Sequence, residues 1–500
     1  MPRSAVICTR NQASYDERSA DLFLTTKRTH QVINQLLNRK PFEAAMEEKE
    51  GGLKRTLGAL DLTVLGIGAI IGAGIFVIAG RGAQAAGPGI MLSFVLVGIA
   101  CLCAALCYAE LASMIPAAGS AYAYTYATLG EFPAWLIGWF LVLEYSVASA
   151  AVASGWSGYF NKILHMLGAA LPDSLTHSPL DTTTPGMMNL PAICIVLAVT
   201  VLLVLGVRES ARVNALFVAL KIAVLVVFIV VALPYVKPGN WDPFLPFGWP
   251  GVVKGGAMIF FAYIGFDAVA TTAEECKNPQ RDLPIGILGS LGVCTVFYII
   301  VAAVMTGMVP FAQLDDPAPL AKALSLIGKD QFAALISVGA IFGLSSVIMV
   351  LMMGMPRIWF AMARDGLLPP VLGAIHPKFR TPWIATIING VFVAAVTGLL
   401  RLNEIAEMTN IGTLSAFIVV AIGVWILRVR SPEMKRGFTA PLLPVTALIT
   451  IVSCSWMMWA LDALTWKYFA VWTVLGIIVY FVYGVHNSVL RPGAPAKQQA

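Results

Sequence analysis

A chain of 500 residues with 58% hydrophobic and 12% charged side chains and a mean hydropathy of +0.80 falls outside the soluble globular class, in which about 25% of residues are charged. The net charge of +6 is small for the length and spread along loops, which argues against a nucleic-acid partner and for membrane orientation. The cysteines (Cys8, Cys101, Cys103, Cys107, Cys194, Cys276, Cys294 and Cys454) lie mostly in apolar runs and form no Cys-x-x-Cys pair or Cys/His cluster, so neither zinc nor a disulfide framework is expected.

Residues 1–52 are charged and mixed, with no secretory signal before the first apolar run at Leu62. Between Phe23 and Ala45, apolar residues recur among Lys27, Arg28, Arg39 and Lys40, which predicts a basic helix on the inner membrane surface. A membrane domain is expected over 53–490 and a short cytoplasmic tail over 491–500.

The run Leu62 to Ala79 is long enough to reach most of the way across a bilayer, which takes roughly 20 apolar residues as a helix. Gly66, Gly68, Gly72 and Gly74 interrupt it. Each glycine costs about 1 kcal/mol relative to alanine in a helix interior. Loosened backbone at membrane depth is tolerated only where it is buried in protein or lines a polar cavity. The stretch is either a broken helix forming a ligand site or a set of packing notches, since small residues four apart, such as Gly68 and Gly72, let helices approach closely.

Further apolar runs follow at Ile90 to Ile115, Ala134 to Tyr159, Leu190 to Gly206, Val213 to Tyr235, Val252 to Thr272 and Ile285 to Val309. The rest are Phe332 to Trp359, Trp383 to Leu400, Ile411 to Leu427, Leu442 to Leu461 and Phe469 to Val485. Twelve runs in all predict termini on one side. Basic residues are denser in the alternate connections that carry Arg208, Lys277, Arg357, Arg364, Arg428 and Arg436, which predicts that this side is the cytoplasm. The sixth run holds Phe260-Phe261-Ala262-Tyr263-Ile264-Gly265-Phe266-Asp267, a second mid-run glycine with an ionisable neighbour, five runs after the first interruption. Interrupted helices at corresponding places in two halves are the best sequence pointer to a transporter's binding site, and this pairing favours the ligand-site reading of the glycines.

Two ionisable residues lie deep in runs. Lys221 stands about 12 Å from the nearer end of the fifth run at 1.5 Å per residue, far for a snorkelling stem, so it is expected to face the protein interior. Glu144, in the third run, serves either helix packing or a gate or proton path. Asp267, Glu110 and Glu275 read as structural or interfacial, and all five histidines fall in loops or at helix ends, against a histidine proton relay.

These residues resemble the amino acid-polyamine-organocation transporters, and among them the bacterial members of the cationic amino acid transporter subfamily. The resemblance runs from Leu53 to beyond Leu427. It is carried by Lys-Arg-Thr-Leu-Gly at 54–58, Gly-Ala-Ile-Ile-Gly-Ala-Gly-Ile-Phe at 68–76, Tyr-Ala-Glu-Leu-Ala at 108–112 and Glu-Tyr-Ser-Val-Ala-Ser at 144–149. The run 260–267, Glu-Glu-Cys-Lys-Asn-Pro-Gln-Arg-Asp-Leu-Pro at 274–284 and Met-Ala-Arg-Asp-Gly-Leu-Leu-Pro at 362–369 continue it in order.

The resemblance implies an all-α membrane fold of twelve transmembrane helices, a five-plus-five inverted repeat with helices 1 and 6 broken. It implies that a substrate carboxylate meets the amides of Gly72, Ala73 and Gly74, at the positive end of a half-helix. The ammonium would meet carbonyls of Ile70, Phe260, Phe261 and Ile264, with Phe261 able to close over the substrate. Many relatives have threonine where Ala73 stands, so a hydroxyl contact is missing. Lys221 matches a lysine that couples transport to protons, with partners expected at the Gly66 and Ile67 carbonyls and the hydroxyl of Ser345 or Ser346. Leu351 aligns with the position facing the substrate side chain. Leucine there offers a guanidinium nothing polar, at a cost of several kcal/mol for an unpaired charge, so small or aliphatic neutral L-amino acids are expected over arginine and lysine.

The alternatives are a cationic amino acid transporter or exchanger, for which Glu144 is the nearby acid, and a sensor that binds without transporting. No catalytic or dinucleotide motif fits within the runs, so neither an enzyme nor a cofactor is expected. The expected partners are an amino acid, protons and the lipid of the plasma membrane, and an accessory membrane subunit is left open.

Overall fold

The computed structural model describes residues 35–41, 57–115, 119–181, 185–206 and 211–491. Lys54, Arg55, Arg208 and most of the predicted surface helix between Phe23 and Ala45 lie outside them. The described residues are predominantly helical, with one isolated parallel bridge, Leu57 to Cys276, and no sheet among them. Helices suit so apolar a chain, because each satisfies its own backbone N–H and C=O groups where water is absent.

In chain order the main helices are α1 (Ala59–Ile70), α2 (Ala79–Ala86), α3 (Ile90–Met114), α4 (Ala121–Thr128), α5 (Glu131–Val142), α6 (Ala148–Met166), α7 (Leu190–Val204) and α8 (Ala211–Ala232). There follow α9 (Gly248–Ile259), α10 (Pro279–Met308), α11 (Pro319–Leu326), α12 (Asp330–Arg364), α13 (Trp383–Leu399), α14 (Leu402–Arg430), α15 (Leu443–Trp459) and α16 (Ala463–Val479). Among the described residues, eight helical stretches are long and apolar enough to cross a membrane, and α7, α13 and α15 are shorter apolar helices. One of the eight, Ala59–Met114, has 56 residues. That is well over the roughly 20 of a single crossing, and Gly87, at φ +63°, divides it.

α10 packs against α1 and α3, α12 against α6, and α8 against both α1 and α12. Outward-facing aliphatic residues such as Val201 on α7, Val230 on α8, Val452 on α15 and Val471 on α16 are exposed, surface of the kind that lipid covers.

Both described ends of the chain meet on one face. Gln35 is buried and donates to Glu131 (3.2 Å) and to the Val485 carbonyl (2.9 Å). Glu131 also accepts from Tyr126, Tyr480 and Ser488. Lys40 pairs with Asp365 at 2.9 Å, and Tyr122 donates to the same carboxylate at 2.6 Å. Gly130, at φ +114°, leaves room for residues 35–41 to pass, since a Cβ there would lie 2.7 Å from the Leu37 backbone.

Candidate functional site

The glycine-rich stretch is a real interruption. α1 stops at Ile70, Ile71 is extended (φ −72°, ψ 94°), and helix resumes through a π-helical turn, Gly74–Ile78, that leads into α2. A helix end leaves its last four carbonyls unpaired, and three of these have donors. Ile67 accepts from the Ile71 N–H (2.9 Å), Gly68 from Lys221 Nζ (2.6 Å) and Ile70 from the Tyr298 hydroxyl (2.7 Å). Beyond the gap, Gly72, Ala73 and Gly74 open a new helical piece, the place where N–H groups lack a carbonyl one turn back and the helix dipole is positive.

The second interruption follows the same logic. α9 ends at Ile259, a 3-10 turn spans Phe260–Tyr263, Ile264 is extended (φ −63°, ψ 136°), Gly265 takes φ +118°, and a 3-10 helix runs over Asp267–Glu275. The extended backbone turns the Ile264 carbonyl out of the helical ladder, while the Phe261 carbonyl accepts the Ile264 N–H at 3.4 Å.

The two interruptions touch. A Cβ on Gly74 would overlap the backbone of Ala262, and one on Gly265 would come within 3.0 Å of the Ala69 backbone. The Tyr298 hydroxyl, bonded to Ile70, also lies 2.9 Å from the Ala262 carbonyl. A phenol has one proton, so these two carbonyls share one donor. Gly66, whose added Cβ would meet the Ser290 side chain, and Gly74 are packing notches, and the chain between them is broken.

α12 supplies a facing wall. Four residues apart on one side of it, Gly339 meets Val224, Gly343 meets the Lys221 stem (3.1 Å for an added Cβ) and Val347 meets Gly72 (also 3.1 Å). Each step is about 6 Å, and Leu351 is the next on that face, so Lys221 and Leu351 flank the first interruption from either side along α12. Lys221 Nζ donates to the Gly68 carbonyl, one and two residues on from the expected Ile67 and Gly66. Ser345 accepts from Trp156 (3.0 Å) and donates to Ile341, while Ser346 donates to the Gly343 carbonyl at 3.0 Å.

Glu144 sits in a π-helical turn, Leu143–Val147, fully buried. Neither of its oxygens has a hydrogen-bond partner among the described residues, and the hydroxyl of nearby Thr413 donates to Thr409 instead. Its neighbour Tyr145 donates to Asp267 at 2.9 Å, which ties this turn to the second interruption. The sequence reads Asp267 as structural or interfacial and does not single out Tyr298. The available signal for Tyr298 was a phenol in mid-run, between Phe297 and Ile299, because a buried tyrosine hydroxyl usually finds a partner.

Ile70, Ala73, Phe260, Phe261, Ile264, Leu351 and Lys221 are all buried, at most 6% exposed, so the junction is closed. On the face opposite the chain ends lies a cavity of about 680 Å³ with a largely polar lining. Met258, two residues before the second interruption, reaches its wall.

Residues 57–486 match the amino acid permease family. The chain is 46% identical over 461 residues to the methylthioribose transporter of Bacillus subtilis (strain 168), covering 92% of this chain and 100% of that protein. It is 49% identical over 446 residues to the branched-chain amino acid permease BcaP of the same organism, covering 88% and 96%. With the vacuolar cationic amino acid transporter 4 of Arabidopsis thaliana it shares 38% identity over 414 residues, covering 80% and 68%.

Proposed function

This chain belongs to the amino acid permease family, a multi-pass membrane transporter of amino acids and not an enzyme, and on that premise we propose a proton-coupled carrier of small or aliphatic neutral L-amino acids that works by alternating access. The observation that carries the substrate class is the apolar wall beside the junction. Leu351, Phe261 and Ile264 are buried there, and a cationic side chain among them would go unpaired at a cost of several kcal/mol. The relative named as a branched-chain permease supports the same class.

In this reading the amides of Gly72, Ala73 and Gly74 take the carboxylate. Carbonyls of Ile70, Phe260, Phe261 and Ile264 take the ammonium, with Ile70 exchanging its Tyr298 bond for it. Lys221 and Glu144 are the coupling candidates: the lysine is anchored on the last turn of α1, and the acid is buried without a partner.

Twelve crossings are supported by the eight long stretches and three shorter helices once Ala59–Met114 is taken as two. A five-plus-five inverted repeat is supported by two interruptions that lie five crossings apart and meet. Arg364 and Arg428 lie at helix ends on the face that carries the chain ends, which supports a cytoplasmic location for that face in the plasma membrane.

Purified protein in sealed vesicles should accumulate valine or alanine when an inward proton gradient is imposed, and excess leucine should suppress that uptake far more than excess arginine. Stronger competition by arginine would reverse the substrate class, and binding without filling of the lumen would indicate a sensor. Glu144 beside Asp267 is the observation that favours the cationic reading.

A further inference from the structure

Helices in lipid gain little from the hydrophobic effect between them, and associate through close packing and hydrogen bonds. α16 shows both along one stripe. Only Thr465 and Gly476 of this helix are buried, and Val471, Val474 and Ile478 face outward, yet three indole N–H groups cross its contact with α5. Trp135 donates to the Gly476 carbonyl (2.9 Å), Trp139 to the Trp472 carbonyl (2.8 Å) and Trp472 to the Trp139 carbonyl (3.1 Å). The rings of Trp139 and Trp472 stack at 4.6 Å and 22°. Gly476 admits Trp139, since a Cβ there would lie 2.5 Å from the indole.

The bond donated by Trp472 differs from the other two in what it reaches. α5 ends at Val142 and passes directly into the π-helical turn Leu143–Val147, which carries Glu144 and Tyr145. At that entry the Leu143 N–H goes to the Phe140 carbonyl, three residues back, instead of to Trp139, four back. The Trp139 carbonyl takes a proton from Trp472. An indole on α16 therefore stands in where the helical hydrogen bonds change register. A π turn is rare and recurs at functional sites. This one aims Tyr145, whose hydroxyl donates to Asp267 at 2.9 Å and whose ring would lie 2.8 Å from a Cβ on Gly354 of α12. Gly412 of α14 closes the other side, with room for no more than its hydrogen, because an added Cβ would come within 3.2 Å of the Phe140 carbonyl.

We propose that Trp472 is a positioning residue for transport. By supplying the donor at the entry to the π turn, it sets where Tyr145 and Glu144 stand against the second interruption, and this makes α16 a working part of the carrier. The effect on uptake rests on the transport reading above; the hold on the π turn does not.

Trp472→Phe and Trp135→Phe each remove one indole donor between the same two helices, and only the first removes the one at the π turn. Their thermal midpoints in detergent should fall alike. In vesicles driven by a proton gradient, Trp472→Phe should lower kcat for valine about fivefold, on the scale of one hydrogen bond, with KM little changed, and Trp135→Phe should leave both near those of the unaltered protein. 3-Benzothienylalanine in place of Trp472, a ring of the same shape without the N–H, should reproduce the loss and serves if Trp472→Phe does not fold. Hydrogen exchange of the full-length protein in nanodiscs should be faster over 139–148 in the 472 variants and unaltered there in Trp135→Phe. An unchanged kcat in the 472 variants, an equal loss in Trp135→Phe, or exchange over 139–148 that the 472 variants leave as it was would overturn the proposal. Unaltered protein that binds valine and never fills the vesicles would sink the transport reading, and exchange over 139–148 would then decide by itself whether Trp472 holds the turn.

Discussion

Lys221 and Tyr298 reach the same helix end from different helices and satisfy carbonyls two residues apart, so the first interruption is held open by side chains, not by glycine alone. The lysine was legible in the sequence, as a charge inside an apolar run. Its bond to the Gly68 carbonyl depends on where α1 stops, which no local pattern encodes. Leu351 follows Val347 by one turn on the same face of α12, the face on which Val347 meets Gly72. If Lys221 carries the coupling proton, Lys221→Met should slow uptake driven by a pH gradient by at least about tenfold, a barrier change of ~1.4 kcal/mol. Exchange of labelled for unlabelled substrate across the same vesicles should suffer less. Unaltered gradient-driven uptake would remove the lysine from the coupling step.

Among the elements, run length and glycine placement were enough to find both interrupted helices, and the structure begins and ends α3, α7 and α13 close to the expected boundaries. The details of the second interruption were harder to foresee. Its 3-10 turns over Phe260–Tyr263 and Asp267–Glu275 arise from tertiary contacts, among them Tyr145 on Asp267 and Tyr298 on Ala262, which no local pattern encodes. Gly265, at φ +118° against the Ala69 backbone, is the residue on which that geometry turns. Gly265→Ala should destabilise the protein by about 1–2 kcal/mol from left-handed strain alone, and more from the contact. Thermal unfolding in detergent, with and without valine, reads the loss, and an unchanged midpoint would mean the turn is not held as described.

At the scale of the whole molecule, the apolar composition fixed the class, and the even number of runs anticipated chain ends on one face. What lay out of reach was how those ends are joined, because Gln35, Glu131, Asp365 and Ser488 are far apart in sequence. Asp365 accepts from both Lys40 and Tyr122, so Asp365→Asn should cost about 1.5–3 kcal/mol, the range for hydrogen bonds to a charged group, and should speed proteolysis of the segment 35–41. Equal cleavage rates in the two proteins would show that this network does not restrain it.

Main chain lies against main chain where Gly74 meets Ala262, and again where Ala69 meets Gly265. Such contacts form a dovetail that leaves the two interruptions little room to slide past each other. On the alternating-access reading, the paired broken helices must therefore swing as one lever.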